Sequence, residues 1–209
     1  MKTRSITPLV AALTLAWSGT VLADINIGVT LSATGPAAVL GGPAMNTVAL
    51  LPTSIAGEKI NWIALDEATN PTQTAKNVAK LISEDKVDLL IGGSITPAAM
   101  AASGAAAESK TPLIAVAPFP ASGDKLHWSF TMPQNFALMA EGILEHMKAH
   151  NLKTLGFIGY ADGYGETWIK SLNAVIGKYG VTLGPIERFQ RTDTSVTGQA
   201  LKLISAKPD

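Results

Sequence analysis

The sequence predicts an α/β protein with a doubly wound, mostly parallel sheet and helices on both of its faces. Three observations support this fold class. Short apolar runs typical of strands alternate along the chain with longer segments whose apolar residues recur every three to four positions. Residues 87–91 and 113–117 are predominantly apolar, as expected for strands that are buried on both faces of a parallel sheet. Small polar residues, glycine and proline follow several of these runs, at the strand ends where open α/β sheets bind ligands.

Seven strands are predicted, separated in most cases by a helix. Residues 25–31 alternate in polarity and predict the opening strand, and most later runs are short and rich in branched side chains. Asp66 ends the second run, Gly92-Gly93 ends the third and Pro118 ends the fourth. The predicted strands are residues 25–31, 61–65, 87–91, 113–117, 127–131, 154–159 and 181–189.

The helices are predicted from their periodicity and from their first residues. The glycine- and proline-rich loop 32–43 precedes an alanine- and leucine-rich helix. Asn70-Pro71 and Thr96-Pro97 each place a capping residue before a proline, which suits the first helical position because proline has no N–H to satisfy. The predicted helices are residues 44 to about 55, a segment from residue 70, a segment from residue 96, and then 136–150, 163–179 and 195–206.

The first 23 residues have the pattern of a secretory signal peptide. Lys2 and Arg4 form a basic start, residues 8–17 are almost entirely apolar, and residues 21–23 end in the small side chain that a signal peptidase requires. The apolar run is shorter than the roughly 20 residues that a membrane-spanning helix needs. We therefore predict cleavage after Ala23 and a mature protein outside the cytoplasm.

Charge and cysteine content exclude several classes of function. The chain has 16 basic and 16 acidic residues, and removing Lys2 and Arg4 leaves 14 basic against 16 acidic residues, a net charge of −2. No basic surface for nucleic acid or for an anionic membrane is predicted from this balance. Cysteine is absent, so the stability of the secreted chain must come from its core, and 47% of its residues are hydrophobic.

The Gly92-Gly93-Ser94 turn is a candidate binding site for an anion. It joins a buried strand to a helix, whose first N–H groups and dipole favour a carboxylate, and the Ser94 hydroxyl can donate to the same group. Two alternatives remain open from the spacing alone. Thr96 could simply cap the helix, and Ser94 could be a solvated turn residue.

The same turn also resembles the nucleophile elbow of a secreted α/β hydrolase, in which a serine stands between two glycines. Thr96 occupies the position of the closing glycine, and the histidines offer no obvious base. His127 lies in a predicted strand, while His146 and His150 lie on a predicted helix. A hydrolase that uses Ser94 is therefore kept as the alternative function.

His146 and His150 are also spaced like two metal ligands on one helix face. Glu145 and Lys148 lie beside them, and we interpret the four residues as a solvated helix face. We predict no metal site and no cofactor.

Tyr160, Asp162 and Tyr164 lie between a predicted strand and a predicted helix, where they could line a cleft. The alternative is that Asp162 caps the helix and that Gly163 and Gly165 only permit the turn. The glycine spacing does not match a dinucleotide-binding motif.

Six segments together resemble, in order, the type I periplasmic binding proteins of ABC importers, specifically the branched-chain amino-acid-binding (Leu/Ile/Val-binding) family. The resemblance covers essentially all of residues 24–209. The segments are SATGP at 32–36, DEATNP at 66–71, LIGGS at 90–94, PLI at 112–114, MPQN at 132–135 and DGYGE at 162–166.

The resemblance implies a non-enzymatic, monomeric protein of the periplasm. Such proteins capture a small ligand by closing two doubly wound, Rossmann-like lobes and deliver it to the permease of an ABC importer. Members are longer than this chain, so we expect a fragment that lacks its C-terminal part. Residues 24–135 would form an incomplete N-terminal lobe, and residues 136–209 would form the start of the second lobe. A ligand-sensing domain of the same fold is a third possibility.

The resemblance also implies which residues contact the ligand. Ser94, Ile95 and Thr96 would hold its carboxylate, the next loop would contribute Ala117 and Phe119, and the second lobe would contribute Tyr164.

Two departures from the family bear on specificity. Phe119 stands where amino-acid binders place a serine or threonine that fixes the α-amino group, and Leu40 replaces an aromatic residue of some members. A buried ammonium without an acceptor is costly, so we expect an apolar or aromatic carboxylate rather than a zwitterionic amino acid. The alternative is that Phe119 points away from the cleft and that an amino acid binds.

Overall fold

A computed structural model describes residues 24–209, so the predicted signal peptide lies outside the described residues. The strands are β1 (Ile25–Leu31), β2 (Ser54–Ile55), β3 (Glu58–Asp66), β4 (Leu89–Gly92), β5 (Leu113–Ala115), β6 (Ser129–Thr131), β7 (Thr154–Tyr160) and β8 (Thr182–Phe189). The helices are α1 (Ala38–Val48), α2 (Pro71–Ser83), α3 (Thr96–Ser109), α4 (Lys125–Trp128), α5 (Phe136–Ala149), α6 (Gly163–Val175) and α7 (Thr197–Ala206), and a 3₁₀ turn covers Ile176–Tyr179.

The first sheet has six strands in the order β2-β3-β1-β4-β5-β6. All neighbours run parallel except β2 and β3, which are antiparallel. The chain winds outward from β1 to β3 and then returns to the other side of β1 as β4. The carboxyl ends of β1 and β4 therefore lie side by side where the winding direction reverses. This arrangement confirms the predicted doubly wound α/β fold.

The core of this sheet lies on both of its faces. Ile27, Val29 and Leu31 alternate along β1 and are buried on the side of α1. Gly28 faces the other side, where an added Cβ would lie 3.0 Å from Leu81, so glycine allows α2 to pack closely. The cluster on that side contains residues of α2, α3, β4 and β5, including Val78, Leu81, Ala99, Ala102, Leu90 and Leu113.

The second sheet pairs β7 with β8 in parallel. Leu144 of α5 and Leu172 of α6 are almost completely buried and pack in one cluster with Val175 and Val181.

The predicted start of α2 is confirmed, because the Asn70 side chain accepts hydrogen bonds from the amides of Thr72 and Gln73.

Several sequence predictions of secondary structure are wrong, and the first helix already begins at Ala38, inside the segment 32–43 that is predicted as a loop. The first predicted helix does not reach residue 55, because α1 ends at Val48 and Ser54–Ile55 pairs as β2 around a turn at Ala56 and Gly57, with φ of 50° and 90°. Residues 127–131 are not one strand, since His127 lies in the helical turn α4 and its amide donates to the Asp124 carbonyl. Local polarity does not reveal either turn.

Within residues 24–209, none of the helices combines the length and the apolar character needed to cross a bilayer.

Candidate ligand-binding cleft

A cleft of about 270 Å³ lies where the loops after β4 and β5 face those after β7 and β8. It is adjacent to the winding reversal of the first sheet, the position at which open α/β sheets bind ligands. Its lining residues are Leu40, Ser94, Ile95, Thr96, Val116, Ala117, Pro118, Tyr160, Tyr164 and Arg191.

A larger groove of about 670 Å³ runs along α5 and β7, lined among others by Met139, Ile143 and Leu155. It is more open, and its surface is almost entirely apolar. Ligand sites combine apolar walls with a few convergent polar groups. The smaller cleft has such groups, and we therefore place the candidate site there.

The structure brings five of the six predicted site residues together at this cleft. Ser94, Ile95, Thr96, Ala117 and Tyr164 line it, and Phe119 does not.

Ser94 is held in place by two hydrogen bonds at the winding reversal. Its Oγ accepts from the Ser32 amide at 2.8 Å, and its own amide donates to Glu67 Oε1 at 2.8 Å. The hydroxyl oxygen is thus already an acceptor, and its proton can be donated to Glu67 or, in place of Glu67, to a ligand. Gly93 precedes it with φ of 76°, and an added Cβ there would lie 2.6 Å from Ala99 Cα.

The predicted capping role of Thr96 is wrong. Ile95 is the N-cap of α3, it makes no side-chain capping bond, and Thr96 is the first helical residue. The Thr96 hydroxyl donates instead to the Pro118 carbonyl at 2.7 Å, which ties α3 to the loop after β5. Among residues 24–209, no side-chain oxygen therefore competes with a ligand anion for the first N–H groups of α3.

Phe119 is turned away from the cleft and is only 6% exposed. It packs in the core cluster together with Leu113, Ala115 and Ala117. The chain bends at Val116 and Ala117 after β5, and the Phe119 ring is packed into the core beyond this bend, whereas Ala117 also lines the cleft. The argument that Phe119 removes a partner for an ammonium at the cleft therefore fails, and the alternative orientation is the one observed.

Tyr160 and Tyr164 form the aromatic wall on the side of the second sheet. Tyr164 packs edge-on against Phe136 with ring centroids 5.6 Å apart, and Tyr160 packs against Phe189 at 4.8 Å. Each ring is thus supported from behind by another aromatic ring. Such support limits rotamer freedom and keeps the wall in place before a ligand arrives.

Asp162 connects this wall to Arg191. Its Oδ1 accepts from the amides of Tyr164 and Gly165, which confirms that Asp162 caps α6. Its Oδ2 pairs with Arg191 Nε at 2.7 Å. The Arg191 guanidinium carbon lies 3.8 Å from the centroid of the Tyr160 ring. One carboxylate thereby positions both a tyrosine and a cation of the cleft.

Glu67 is a fully buried carboxylate beneath the Ser94 turn. In addition to the Ser94 amide, it accepts from Ser32 Oγ at 3.0 Å, Thr74 Oγ1 at 3.1 Å and Thr30 Oγ1 at 3.4 Å. Burial raises the pKa of Glu67 above its ordinary value, and the hydrogen bonds from Ser94, Ser32 and Thr74 oppose that rise. Glu67 therefore joins the loops after β1 and β4 to α2.

A raised pKa makes the contribution of Glu67 to stability depend on pH. That contribution is fully present below the ordinary pKa of 4.5 and is lost as pH rises through the higher folded-state pKa. The wild type and Glu67→Gln share all other titrating groups. The effects of those groups therefore cancel in the difference between the two free energies of unfolding. We expect the free energy of unfolding of the full-length wild type, relative to Glu67→Gln, to fall as pH rises from about 4 to 8. Urea denaturation across this range tests the sign, and a difference that rises with pH contradicts it.

The histidine pair of α5 lies outside the cleft. His146 and His150 stack with ring centroids 4.2 Å apart, and His150 Nδ1 lies 2.9 Å from the His146 carbonyl oxygen. Among residues 24–209, the structure brings no three His, Cys, Asp or Glu side chains together in a group that could hold a metal ion.

The model that describes periplasmic binding proteins matches residues 24–209. The chain belongs to the periplasmic binding protein family. Its resemblance to the type I members and its predicted fold are thereby confirmed, and membership implies a periplasmic location. None of the curated proteins matches this chain.

Several solved structures resemble this periplasmic binding protein. An extracellular ligand-binding receptor from Rhodopseudomonas palustris HaA2 is 41% identical, with a TM-score of 0.86 over 90% of this chain and 52% of the other. A second receptor from the same strain is 44% identical, with a TM-score of 0.85 over 90% of this chain and 53% of the other. A solute-binding protein of an ABC transporter from R. palustris BisB5 shares the fold at 23% identity and a TM-score of 0.79, over 89% of this chain and 53% of the other. The chain thus spans about half the length of these proteins.

Sequence reasoning missed two important residues of this periplasmic binding protein. Arg191 lies just beyond the carboxyl end of β8, and Glu67 directly follows β3. Both occupy the strand-end position that drew attention to Ser94. The rule that ligands bind at the carboxyl ends of strands would have identified both residues if it had been extended from small polar residues to charged ones.

Proposed function

We propose that the full-length protein is an extracytoplasmic solute-binding protein that captures a small carboxylate and delivers it to an ABC importer. The observation that supports this most directly is the convergence of Ser94, the uncapped start of α3 and a supported tyrosine wall on one cleft. Hydroxyl and N–H donors suit a carboxylate, and the tyrosines suit an apolar or aromatic body.

The charge of the cleft favours an anion over a zwitterion. Among the lining side chains that the structure describes, Arg191 is charged and none is a carboxylate. The Asp162 carboxylate is already paired with Arg191 at 2.7 Å, so the ammonium of an amino acid would be desolvated without an unpaired carboxylate as partner, which costs several kcal/mol in effective terms. The lining of the cleft, rather than Phe119, thus supports an aromatic or apolar acid as the ligand, with an amino acid as the alternative.

Structures of the same fold supply suitable probes. The R. palustris BisB5 protein was crystallised with 3,4-dihydroxybenzoic acid, and two further solute-binding proteins from R. palustris were crystallised with benzoate and with 4-hydroxybenzoate. These proteins are 23%, 19% and 18% identical to this chain, so their ligands motivate the probes and do not assign the ligand.

The proposal includes an organisation in two lobes. Residues 24–135, which carry the six-stranded sheet, belong to the first lobe, and residues 136–209 belong to the second. The lobes close on the ligand as a monomer, the closed form docks on the permease, and the signal peptide is removed after Ala23.

Calorimetric titration of the full-length protein with benzoate, 4-hydroxybenzoate, 3,4-dihydroxybenzoate and leucine tests this proposal. We expect binding of an aromatic acid, and we expect Ser94→Ala to weaken it about 10- to 100-fold, as for the loss of a hydrogen bond to a charged group. The matched control is Ser109→Ala, because the Ser109 hydroxyl bonds within the far end of α3. Tight binding of leucine without any response to the aromatic acids contradicts the ligand class.

The hydrolase alternative makes a different prediction for Ser94. A nucleophilic serine reacts covalently with a fluorophosphonate, whereas a serine that only donates to a ligand does not. The described lining of the cleft contains no histidine that could act as its base. Mass spectrometry after incubation with the probe separates the two functions, and labelling at Ser94 contradicts the binding protein.

A further inference from the structure

We infer that Arg191 is a second ligand anchor, which binds an oxygen substituent on the ring of an aromatic acid at the end remote from its carboxylate. The inference rests on the proposed function and adds a specificity-determining residue to it. The ligand class that it assigns is an aromatic carboxylate with a hydroxyl group or a second carboxylate.

The first step of the argument is the unused hydrogen-bonding capacity of Arg191. A guanidinium has five N–H donors in a planar fork. Within the described part of the chain, the side-chain hydrogen bond of Arg191 is the one from Nε to Asp162. The terminal NH₂ groups make no such bond to a described residue, although the side chain is only 18% exposed. A largely buried cation with free donors at the wall of a cleft is suited to binding an acceptor.

The second step is the rigidity of the guanidinium. It is held at Nε by Asp162 and stacks on Tyr160, whose ring packs on Phe189. Asp162 is in turn fixed by the amides at the start of α6. The terminal NH₂ groups thus have a defined position before the ligand binds, and little rotamer entropy remains to be lost on binding.

The third step is the placement of Arg191 opposite Ser94. Both residues line the same cleft, but Ser94 follows β4 of the first sheet and Arg191 follows β8 of the second. A ligand whose carboxylate is bound at Ser94 directs its other end toward the second sheet. Tyr160 and Tyr164 line the same cleft, and their rings suit contact with an aromatic ring.

Arg188 provides a matched control for Arg191. It lies three positions earlier, pairs with Glu166 through both Nε and a terminal NH₂ group, and is absent from the cleft lining. Its side chain is 41% exposed. Arg188→Gln therefore removes a charge of the same kind from the same sheet without changing the cleft.

The experiment is a calorimetric titration of the full-length wild type, Arg191→Gln, Arg191→Lys and Arg188→Gln with benzoate and with 4-hydroxybenzoate. We expect the wild type and Arg188→Gln to bind 4-hydroxybenzoate at least about tenfold more tightly than benzoate. Arg191→Gln should abolish this preference, because it weakens 4-hydroxybenzoate binding by at least about tenfold more than benzoate binding. Arg191→Lys keeps the charge but loses the fork, and it should retain part of the preference.

Each other outcome overturns the inference in a recognisable way. If both acids bind to the wild type and Arg191→Gln weakens both equally, the proposed function stands and Arg191 is not the second anchor. If the wild type binds neither acid, the proposed ligand class and the inference fail together. Circular dichroism and thermal melting identify a variant that has lost its fold. If Arg191→Gln is such a variant, the preference of Arg191→Lys for 4-hydroxybenzoate over benzoate tests the inference instead, because lysine keeps a cation beside Asp162.

Discussion

Replacing Glu67 with alanine should lower the free energy of unfolding of the full-length protein by about 3 kcal/mol, because buried donors lose their acceptor. The Ser94 amide and the hydroxyls of Ser32, Thr74 and Thr30 all point at this carboxylate. An unsatisfied buried donor costs about 1–3 kcal/mol. Thr74 also bonds to the Asn70 carbonyl, so the loss at that hydroxyl is smaller.

The same substitution should weaken ligand binding. The Ser94 amide is held by Glu67, and the Ser94 hydroxyl lies at the cleft. When the Glu67 carboxylate is removed, the turn that carries Ser94 gains conformational freedom, and this freedom must be lost again when the ligand binds. We expect a loss of about tenfold in affinity for an aromatic acid, with less effect in Glu67→Gln, which retains an oxygen acceptor.

Chemical denaturation and calorimetry measure the two effects, and Glu84→Ala is the control. Glu84 directly follows α2, its side chain is 67% exposed, and its Oε2 lies 3.8 Å from Lys80 Nζ. Its replacement should change stability by no more than about 0.5 kcal/mol. If Glu67→Ala is as mild as Glu84→Ala, Glu67 does not hold the turn.

The sequence predicted the ends of several strands well because strand ends are marked locally. Gly92-Gly93 ends β4, and Asn70-Pro71 starts α2, through backbone properties of those residues themselves. The position of Ser94 at the cleft follows from these boundaries and from the rule that ligands bind at the carboxyl ends of parallel strands.

The remaining features depend on contacts between distant segments. Gly41 lies inside α1, where glycine disfavours the helix. The position nevertheless requires glycine, because an added Cβ would lie 2.2 Å from the Ser32 carbonyl oxygen. Arg191 is held by Asp162, 29 positions earlier. Phe119 lies beyond the end of β5 and a bend at residues 116–117, and its place in the core depends on packing against the cluster that contains Leu113 and Ala115. None of these relations can be inferred from a local window of sequence.

Replacing Gly165 with alanine should disrupt the tyrosine wall. An added Cβ would lie 1.9 Å from the Tyr160 carbonyl oxygen, a distance that no side-chain movement can relieve because the contact is with backbone. The turn between β7 and α6 must therefore open, and it carries Tyr160, Asp162 and Tyr164. We expect a loss of about 3 kcal/mol in stability, at the upper end of the range for overpacking, and at least about tenfold in ligand affinity.

Gly163→Ala is the matched control, two residues earlier in the first turn of the same helix. The nearest atom to its added Cβ is Met100 Sδ at 3.4 Å, an ordinary contact with a flexible side chain. Alanine also favours the helix by up to about 1 kcal/mol over glycine, so this variant should be neutral or more stable. Opposite signs for the two substitutions would show that close packing of the backbone, rather than helix propensity, determines glycine at position 165. Equal tolerance of both would mean that the turn does not hold the wall, and the rigidity attributed to Tyr160 and Arg191 would then lack its support.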